Sequence, residues 1–478
     1  MNYRMVSYIM GQICKVAGLA MLLPILVGFI YGEHHVVTSF GVPFLLLVLV
    51  GIIATVRKPK DRSVFSTEGF VSVAASWLLV SAVGALPFVI SGEIPNYINA
   101  LFETVSGFTT TGATILSDVE SMSKSCLFWR AFTHWLGGMG ILMFVLAILS
   151  SNDSRTMHMM RAECAGPNVG RLVSKSSVSA RILYGIYLSL TAAETILLLC
   201  GGMSLYDALI HSFSSAGTGG FSCYGDSIGH FDSVYIEMVI ATFILLFGVN
   251  FSLYYFIIVK KYSLALRNEE LRVYLGLVVL ATAIITFNVR DVYGGFGESL
   301  RHSFFMVAST ITSTGFATAD ITTWPVFSQT LLLLLMFVGS CAGSTGGGMK
   351  VSRWMILFKT GVKEMKYISN PRAVATVKID GKPVDSNVVR GAASYLILFM
   401  MLLASSLLIL SLDKYSVEES ASAVITCMNN IGFGLGSFGP AGNFGGLSSL
   451  SKLVLCFDML LGRLEIYPLI MLFTSRKR

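Results

Sequence analysis

Charged side chains are scarce in this chain, and that scarcity excludes an ordinary soluble protein. Only 13% of the 478 residues are Asp, Glu, Lys or Arg, against about 25% in a typical soluble domain. Hydrophobic residues make up 54% and the mean hydropathy is +0.72, values typical of a membrane protein. The net charge of +7 does not indicate nucleic-acid binding, because the basic residues fall between apolar runs.

Motifs of enzymes and of disulfide or metal frameworks are missing as well. The eight cysteines are scattered without a C-x-x-C pair, so we expect them to be buried as small apolar side chains. No G-x-x-x-x-G-K-[ST] phosphate loop occurs, and no apolar run holds paired carboxylates or a Ser/His dyad. We therefore expect neither an enzyme nor a covalently bound cofactor.

Ten apolar runs are long enough to span a membrane, which takes about 20 residues each. They cover residues 8–31, 40–56, 68–91, 128–150, 180–200, 234–259, 272–289, 328–360, 390–411 and 450–473. The eighth run is too long for one helix, and its Gly-rich residues 339–348 predict a break. No cleavable signal is evident in the first run. The ten runs together predict an all-α, multi-pass membrane protein.

Lysines and arginines cluster in alternate connections between these runs. The clusters lie at residues 57–62, 155–181, 260–272, 350–390 and 476–478. The positive-inside bias places these connections, and both termini, on the cytoplasmic side.

Four short segments rich in Thr, Ser and Gly lie between apolar runs, about 100 residues apart. Each follows a stretch too short to span, at 99–108, 207–214, 298–311 and 417–428, which we interpret as a re-entrant half-helix. The negative end of each half-helix dipole would face a cation, and rings of backbone carbonyls are the chemistry of a cation filter. The candidate filter residues are Thr110, Thr111, Gly112, Gly217, Thr218, Gly219, Ser313, Thr314, Gly315, Asn430, Ile431 and Gly432, with Gly112, Gly219, Gly315 and Gly432 taken as equivalent.

The pattern predicts four pseudo-repeats of helix, half-helix with filter loop, and helix (M1–P–M2) around one pore. Two extra N-terminal helices occupy 1–62, and the repeats occupy 63–155, 156–265, 266–365 and 366–478. The alternative is that these glycines are small residues that pack helices together, as is common in membranes.

Two basic residues, Lys350 after the Gly-rich break and Arg463 in the last apolar run, lie within the third and fourth predicted repeats. Arg463 stands near the middle of the last apolar run, where an isolated charge costs a few kcal/mol and usually faces water. It could repel cations or hold the Gly-rich break, and the alternative is a structural pair with Glu465 or Asp458. We expect Lys350 to extend to the cytoplasmic surface.

These motifs resemble the Trk/Ktr/HKT superfamily of potassium transporters, and within it the bacterial TrkH family. The matching residues are 106–114, 219–222, 314–318, 429–432, 342–348 and Arg463, and the two extra N-terminal spans also fit. One departure is Phe433, because family members often have proline after the fourth filter glycine.

The resemblance implies potassium uptake across the bacterial inner membrane, with K⁺ bound at the filter carbonyls. It implies a homodimer in membrane lipid, and a cytoplasmic ring of TrkA-type RCK subunits that carry the only nucleotide. It also implies an intramembrane gate formed by Gly343, Ser344, Thr345, Gly346, Gly347, Gly348 and Arg463. The alternatives are a sodium-coupled or weakly selective K⁺/Na⁺ transporter and, from another class, a non-transporting scaffold or enzyme.

Overall fold

The computed structural model describes residues 2–57, 66–140, 176–372 and 376–474. The predicted repeat boundaries after residues 62 and 155 lie outside these ranges. Apart from turns and loops, the regular structure of the described part is helical, with one antiparallel hairpin, β1 (Lys378–Ile379) and β2 (Lys382–Pro383).

The helices are numbered in chain order. They are α1 (Tyr3–Ala20), α2 (Leu22–Tyr31), α3 (His34–Thr55), α4 (Ser66–Gly84), α5 (Leu86–Ile90), α6 (Tyr97–Phe108), α7 (Lys124–Gly138), α8 (Ser176–Cys200), α9 (Leu205–Gly217), α10 (Val234–Phe247), α11 (Phe251–Ile258), α12 (Tyr262–Leu266), α13 (Glu269–Asn288), α14 (Arg290–Tyr293), α15 (Phe296–Ile311), α16 (Val326–Val338), α17 (Val351–Ser369), α18 (Ser386–Leu410), α19 (Val417–Met428), α20 (Ser449–Leu464) and α21 (Tyr467–Thr474).

Six helical stretches of the described part are long and apolar enough to cross a membrane, and two of them join consecutive helices, α1 with α2 and α4 with α5. They are Tyr3–Tyr31, His34–Thr55, Glu68–Ile90, Val178–Cys200, Glu269–Asn288 and Ser386–Leu410, and a seventh is added if the bent pair α10 and α11 forms one span. These six match six of the ten predicted runs, so the chain is a multi-pass membrane protein.

The other four predicted runs do not form continuous helices where they are described. The break at 339–348 is confirmed, because residues 339–350 separate α16 from α17. The expectation of an unbroken helix at 234–259 is wrong: α10 and α11 meet at a 91° bend, where Asn250 accepts a hydrogen bond from Ser252 N and begins a new helix. The last run is interrupted at Glu465 and Ile466, which have φ of 59° and 58°. In the run 128–150, α7 ends at Gly138, and the residues after 140 lie outside the described part.

Short helices, here called half-helices, occupy the four positions of the predicted half-helices, namely α6, α9, α15 and α19. Three of them begin with a polar side chain that accepts hydrogen bonds from the first turn, as helix starts require. Asn96 caps α6, Ser204 caps α9, and Ser416 forms a capping box with Glu419 at the start of α19. These caps define where three of the four short helices begin, and each of the four ends where its segment of Thr, Ser and Gly begins.

The half-helices and the helices that follow them pack in a closed circuit. Along the circuit α6 packs on α7, α7 on α9, α9 on α10, α10 on α15, α15 on α16, α16 on α19, α19 on α20, and α20 returns to α6. The C-terminal ends of all four half-helices lead into segments that contact one another.

Candidate ion pathway

A left-handed backbone turn follows each of the four half-helices. Its first residue is buried and has a φ of 54–55°: Thr110, Thr218, Ser313 and Asn430. Two residues later each segment has a glycine with positive φ: Gly112 at 81°, Gly220 at 79°, Gly315 at 85° and Gly432 at 104°. Glycine adopts such values without the steric cost that other residues incur. The same backbone pattern therefore closes all four half-helices.

Backbone hydrogen bonds define the register of the second segment. Thr111, Gly219, Thr314 and Ile431 each donate a backbone N–H to the carbonyl five residues earlier, at 2.8–3.0 Å. The predicted equivalence of Gly219 with Gly112 is therefore wrong by one residue, and Gly220 holds that position. The predicted filter residue Gly217 is the last residue of α9 and corresponds to Thr109. Three glycines in a run of four, 217–220, left this register undetermined in the sequence.

The four segments lie against one another and close a ring. A Cβ atom at Gly112 would clash with the carbonyl oxygen of Gly219, and a Cβ atom at Gly220 would clash with the carbonyl oxygen of Thr314. In the same way, a Cβ atom at Gly315 would clash with the carbonyl oxygen of Ile431. A Cβ atom at Gly432 would lie 2.6 Å from the carbonyl oxygen of Thr111. Each glycine thus touches the carbonyl of the next segment, and the fourth returns to the first. The spacing of the ring therefore depends on hydrogen atoms at all four positions.

The ring is braced unequally. Hydroxyl pairs Thr109–Thr111, at 2.8 Å, and Thr312–Thr314, at 2.7 Å, brace the first and third segments. The second and fourth segments have Gly219 and Ile431 at the position of these second threonines. The fourth segment instead uses Asn430, whose Nδ2 donates to Thr111 Oγ1 and to Met459 O, both at 2.9 Å. The ring has fourfold order in its backbone but not in its side chains.

A buried ion pair supports the first two segments from behind. Glu103 on α6 and Arg130 on α7 are 1% and 2% exposed and lie 2.7 Å apart. Glu103 also accepts hydrogen bonds from Thr114 Oγ1 and Ile115 N, while Arg130 donates to Ser222 O. The pair therefore joins the residues that leave the first segment to those that leave the second.

The Gly-rich break, residues 339–350, lies directly against the ring. Gly347 N donates to Ser313 Oγ at 2.5 Å. Cys341 N donates to Gly248 O at 3.1 Å, and Phe251 N donates to Gly343 O at 3.0 Å. The loop is thus docked on the bend between α10 and α11 by backbone hydrogen bonds, which a sequence pattern does not reveal.

Arg463 joins the loop to the ring and to the end of α7. Its guanidinium donates to Thr345 O at 2.7 Å, to Thr110 Oγ1 at 3.2 Å, to Gly138 O at 2.5 Å and to Gly137 O. The alternative pairing partners are engaged elsewhere, since Glu465 is ion-paired with Arg353 at 2.6 Å and Asp458 accepts from Ser406. Arg463 therefore contacts both the predicted filter and the predicted gate.

Lys350 does not extend to the surface, so that expectation is wrong. It is 1% exposed, and its Nζ donates to Gly346 O and, at 3.5 Å, to Ser340 Oγ. The side chain folds back over the loop that precedes it, and hydrogen bonds to the loop replace those it would make with water at the surface. A cavity of about 50 Å³ is lined by residues 343–348 in part, with Lys350, Arg463 and Glu465. Two basic side chains and one acidic side chain thus flank the space beside the loop.

Together, the apolar spans, the half-helices and the closed backbone ring define a multi-pass membrane protein with a ring-shaped site built mainly from main-chain groups. The TrkH family profile, described as cation transport protein, matches residues 43–477. The chain belongs to this family, and it is accordingly a transporter and not an enzyme.

Individual relatives match over almost their whole length. The Trk system potassium uptake protein TrkG of Escherichia coli K12 is 35% identical over 484 residues, covering 99% of this chain and 98% of TrkG. The TrkH protein of Salmonella typhimurium LT2 is 35% identical over 482 residues, covering 99% of both chains. The crystal structure of the potassium transporter TrkH from Vibrio parahaemolyticus superposes with a TM-score of 0.89 at 32% identity, covering 100% of both chains.

The sequence alone did not reveal three residues of the site, Gly220, Glu103 and Arg130. Gly220 could have been found by aligning on the Gly-Phe pairs, because Phe221, Phe316 and Phe433 all follow the equivalent glycine. The buried pair of Glu103 and Arg130 had no such signal, since its members lie on different helices and carry no shared motif.

Proposed function

We propose that this chain is the membrane subunit of a potassium uptake system. The observation that carries the proposal is the ring of four segments, in which each positive-φ glycine touches a carbonyl of the next segment. Such a ring can present backbone oxygens that replace the hydration shell of K⁺. Relatives covering this chain end to end are named as potassium uptake proteins, which supports K⁺ as the ion.

The proposed filter consists of Thr110–Gly112, Thr218–Gly220, Ser313–Gly315 and Asn430–Gly432. The four half-helices point their C-terminal ends at this ring, and their dipoles favour a cation there. The arrangement is four M1–P–M2 units around one pore, preceded by two additional helices. The circuit of helix contacts described above supports this arrangement.

The proposed gate is the loop 343–348 together with Arg463. The loop lies against the third segment through Gly347 and Ser313, and Arg463 holds the loop through Thr345 O. A guanidinium beside a narrow passage raises the barrier for a cation, by several kcal/mol at low effective dielectric and far less in a hydrated site. Displacement of the loop would open the path.

We further propose that the protein acts as a homodimer in the bacterial inner membrane, with both termini cytoplasmic. A ring of TrkA-type RCK subunits, which carry the nucleotide, would bind the basic connection that includes α17. Lys359 is already paired with Glu269 at 2.6 Å, whereas Lys366 is exposed. Charge neutralisation at Lys363 and Lys366 should reduce co-purification of such a partner, whereas neutralisation of Lys359 would also break its pair with Glu269.

A sodium-coupled or weakly selective K⁺/Na⁺ transporter is the second candidate. The unequal bracing of the ring favours it, because Gly219 and Ile431 lack the hydroxyl that Thr111 and Thr314 provide. A less uniform ring would discriminate less sharply between ions of different size.

Flux in sealed vesicles decides between these candidates. We expect purified protein in liposomes to carry K⁺ and Rb⁺ much faster than Na⁺, with or without an imposed pH gradient. Equal rates for K⁺ and Na⁺ would favour the second candidate, and the absence of flux for all three ions from folded protein would contradict both. Dependence on the pH gradient would reveal proton coupling.

A further inference from the structure

A single buried carboxylate joins the two sides of the Gly-rich break. Glu270 lies in the first turn of α13 and is 7% exposed. Its Oε1 accepts hydrogen bonds from Ala342 N, at 2.7 Å, and from Ser352 N, at 3.1 Å. Ala342 precedes the loop residues 343–348 and Ser352 follows them, so one oxygen atom bridges both stems of the loop.

The bond to Ser352 replaces a missing helix cap. Helix α17 begins at Val351, and no side chain of its own N-cap residue, Lys350, satisfies the first backbone N–H groups. Such groups need an acceptor when a helix start is buried, and a negative charge there is favoured by the helix dipole. Glu270 supplies both from another helix, through hydrogen bonds that are stronger than neutral ones because the acceptor is charged.

The start of α13 is also tied to α17 and to the β1–β2 hairpin. Glu269 pairs with Lys359 at 2.6 Å, and Asp380 accepts a hydrogen bond from Glu269 N at 2.7 Å. Adjacent residues thus contact the loop on one side and the predicted partner-binding connection on the other.

We propose that Glu270 is a positioning residue that holds the intramembrane loop closed against the ring. The inference rests on the proposed gating role of that loop for its functional meaning, but the clamp itself is a structural claim. The clamp is specific to Glu270, because the carboxylate of Glu269 accepts a hydrogen bond from Lys359 and not from the loop.

Cys341 offers a direct measurement of the clamp. It adjoins Ala342, is 1% exposed and is a free thiol. Maleimide labelling of the full-length protein in nanodiscs, quantified for each cysteine by peptide mass spectrometry, gives its rate of exposure. Cys200 is exposed and Cys427 is fully buried, so they serve as internal controls within the same sample.

We expect Glu270→Ala to speed labelling of Cys341 by about tenfold or more, the factor for losing a charge-assisted hydrogen bond, with Cys427 unchanged. Glu270→Gln should cause a smaller increase, because its amide oxygen still accepts hydrogen bonds. Glu269→Gln, the matched control, should leave Cys341 protected.

An unchanged Cys341 rate in Glu270→Ala, or equal rates in the Glu269 and Glu270 variants, would overturn the inference. If Cys427 also becomes reactive in Glu270→Ala, that variant is unfolded, and Glu270→Gln decides: faster Cys341 labelling alone supports the clamp, and no change rejects it. Potassium flux measured on the same samples tests the proposed function separately. Faster labelling without altered flux would keep the clamp and reject the loop as the gate.

Discussion

Replacing Gly432 by alanine tests the ring at the point where its fourth segment meets its first. Gly432 has a φ of 104°, and a Cβ atom there would lie 2.6 Å from Thr111 O and 3.1 Å from Gly112 C. Ordinary contact begins at 3.4 Å, so the Thr111 carbonyl must move by about 0.8 Å, the difference between 3.4 and 2.6 Å. The methyl group therefore displaces an oxygen that we propose contacts the ion.

The energetic magnitude has two parts, which a second glycine separates. Gly92 has a φ of 81°, and a Cβ atom there would meet nothing within 4 Å. Gly92→Ala should therefore cost only the left-handed conformation, about 1–2 kcal/mol, and leave transport unchanged. Gly432→Ala should cost a further 1–3 kcal/mol, roughly the penalty of overpacking a tight site.

The assay is uptake of K⁺, Rb⁺ and Na⁺ by liposomes, normalised to folded protein, together with thermal unfolding of both variants. A ring widened on one side fits K⁺ less well, so we expect Gly432→Ala to lower the K⁺/Na⁺ rate ratio by about tenfold, equivalent to ~1.4 kcal/mol. An unchanged ratio in a folded Gly432→Ala protein would refute the role of this contact. Loss of selectivity in Gly92→Ala as well would show that backbone strain alone, and not the ring contact, is responsible.

Three further changes probe the supports of the ring. Arg463→Ala removes the cation beside the loop and should raise K⁺ flux per folded protein by about tenfold; lower flux from a stable variant would reject the barrier role. Glu103→Gln leaves the buried Arg130 without its charged partner and should lower the free energy of unfolding by about 3–5 kcal/mol. The double variant with Arg130→Met should recover part of that loss, and equal stability of Glu103→Gln and the unchanged protein would contradict the ion pair. Ser416→Ala removes the capping box of α19 and should cost about 1 kcal/mol without altering the K⁺/Na⁺ ratio, which unfolding and flux measurements check together.

Local features of the chain determined its class and most of its helices. Apolar runs of about 20 residues predict spans because a helix of that length matches the bilayer core. The short helices α6, α9, α15 and α19 were predictable from stretches too short to span, and the break was predicted at 339–348 because dense glycine acts over a few neighbouring positions. Three of the four ring glycines were also found, because each stands in a distinct local motif.

Only the tertiary structure decided the features that depend on contacts between distant segments. The register of the second segment follows from the left-handed turn at Thr218, which makes Gly220 and not Gly219 the ring glycine. The bend at residues 248–250 provides the surface on which the loop docks, and the sequence there has no proline or glycine-rich run to predict it. The inward path of Lys350 depends on loop carbonyls that come within reach only after folding.

Charged pairs show most clearly the difference between what the sequence predicts and what the tertiary structure decides. The sequence singled out Arg463 as a charge within an apolar run, but it could not say which carboxylate meets which cation. Glu103 finds Arg130, Glu465 finds Arg353, and Glu270 binds two backbone N–H groups across the break. The physical reason is that hydrogen bonds have a range of about 3 Å, whereas the partners in these three cases lie 27 to 112 positions apart along the chain. Sequence therefore specified the helices and the glycines, and the packing of the helices selected the partners.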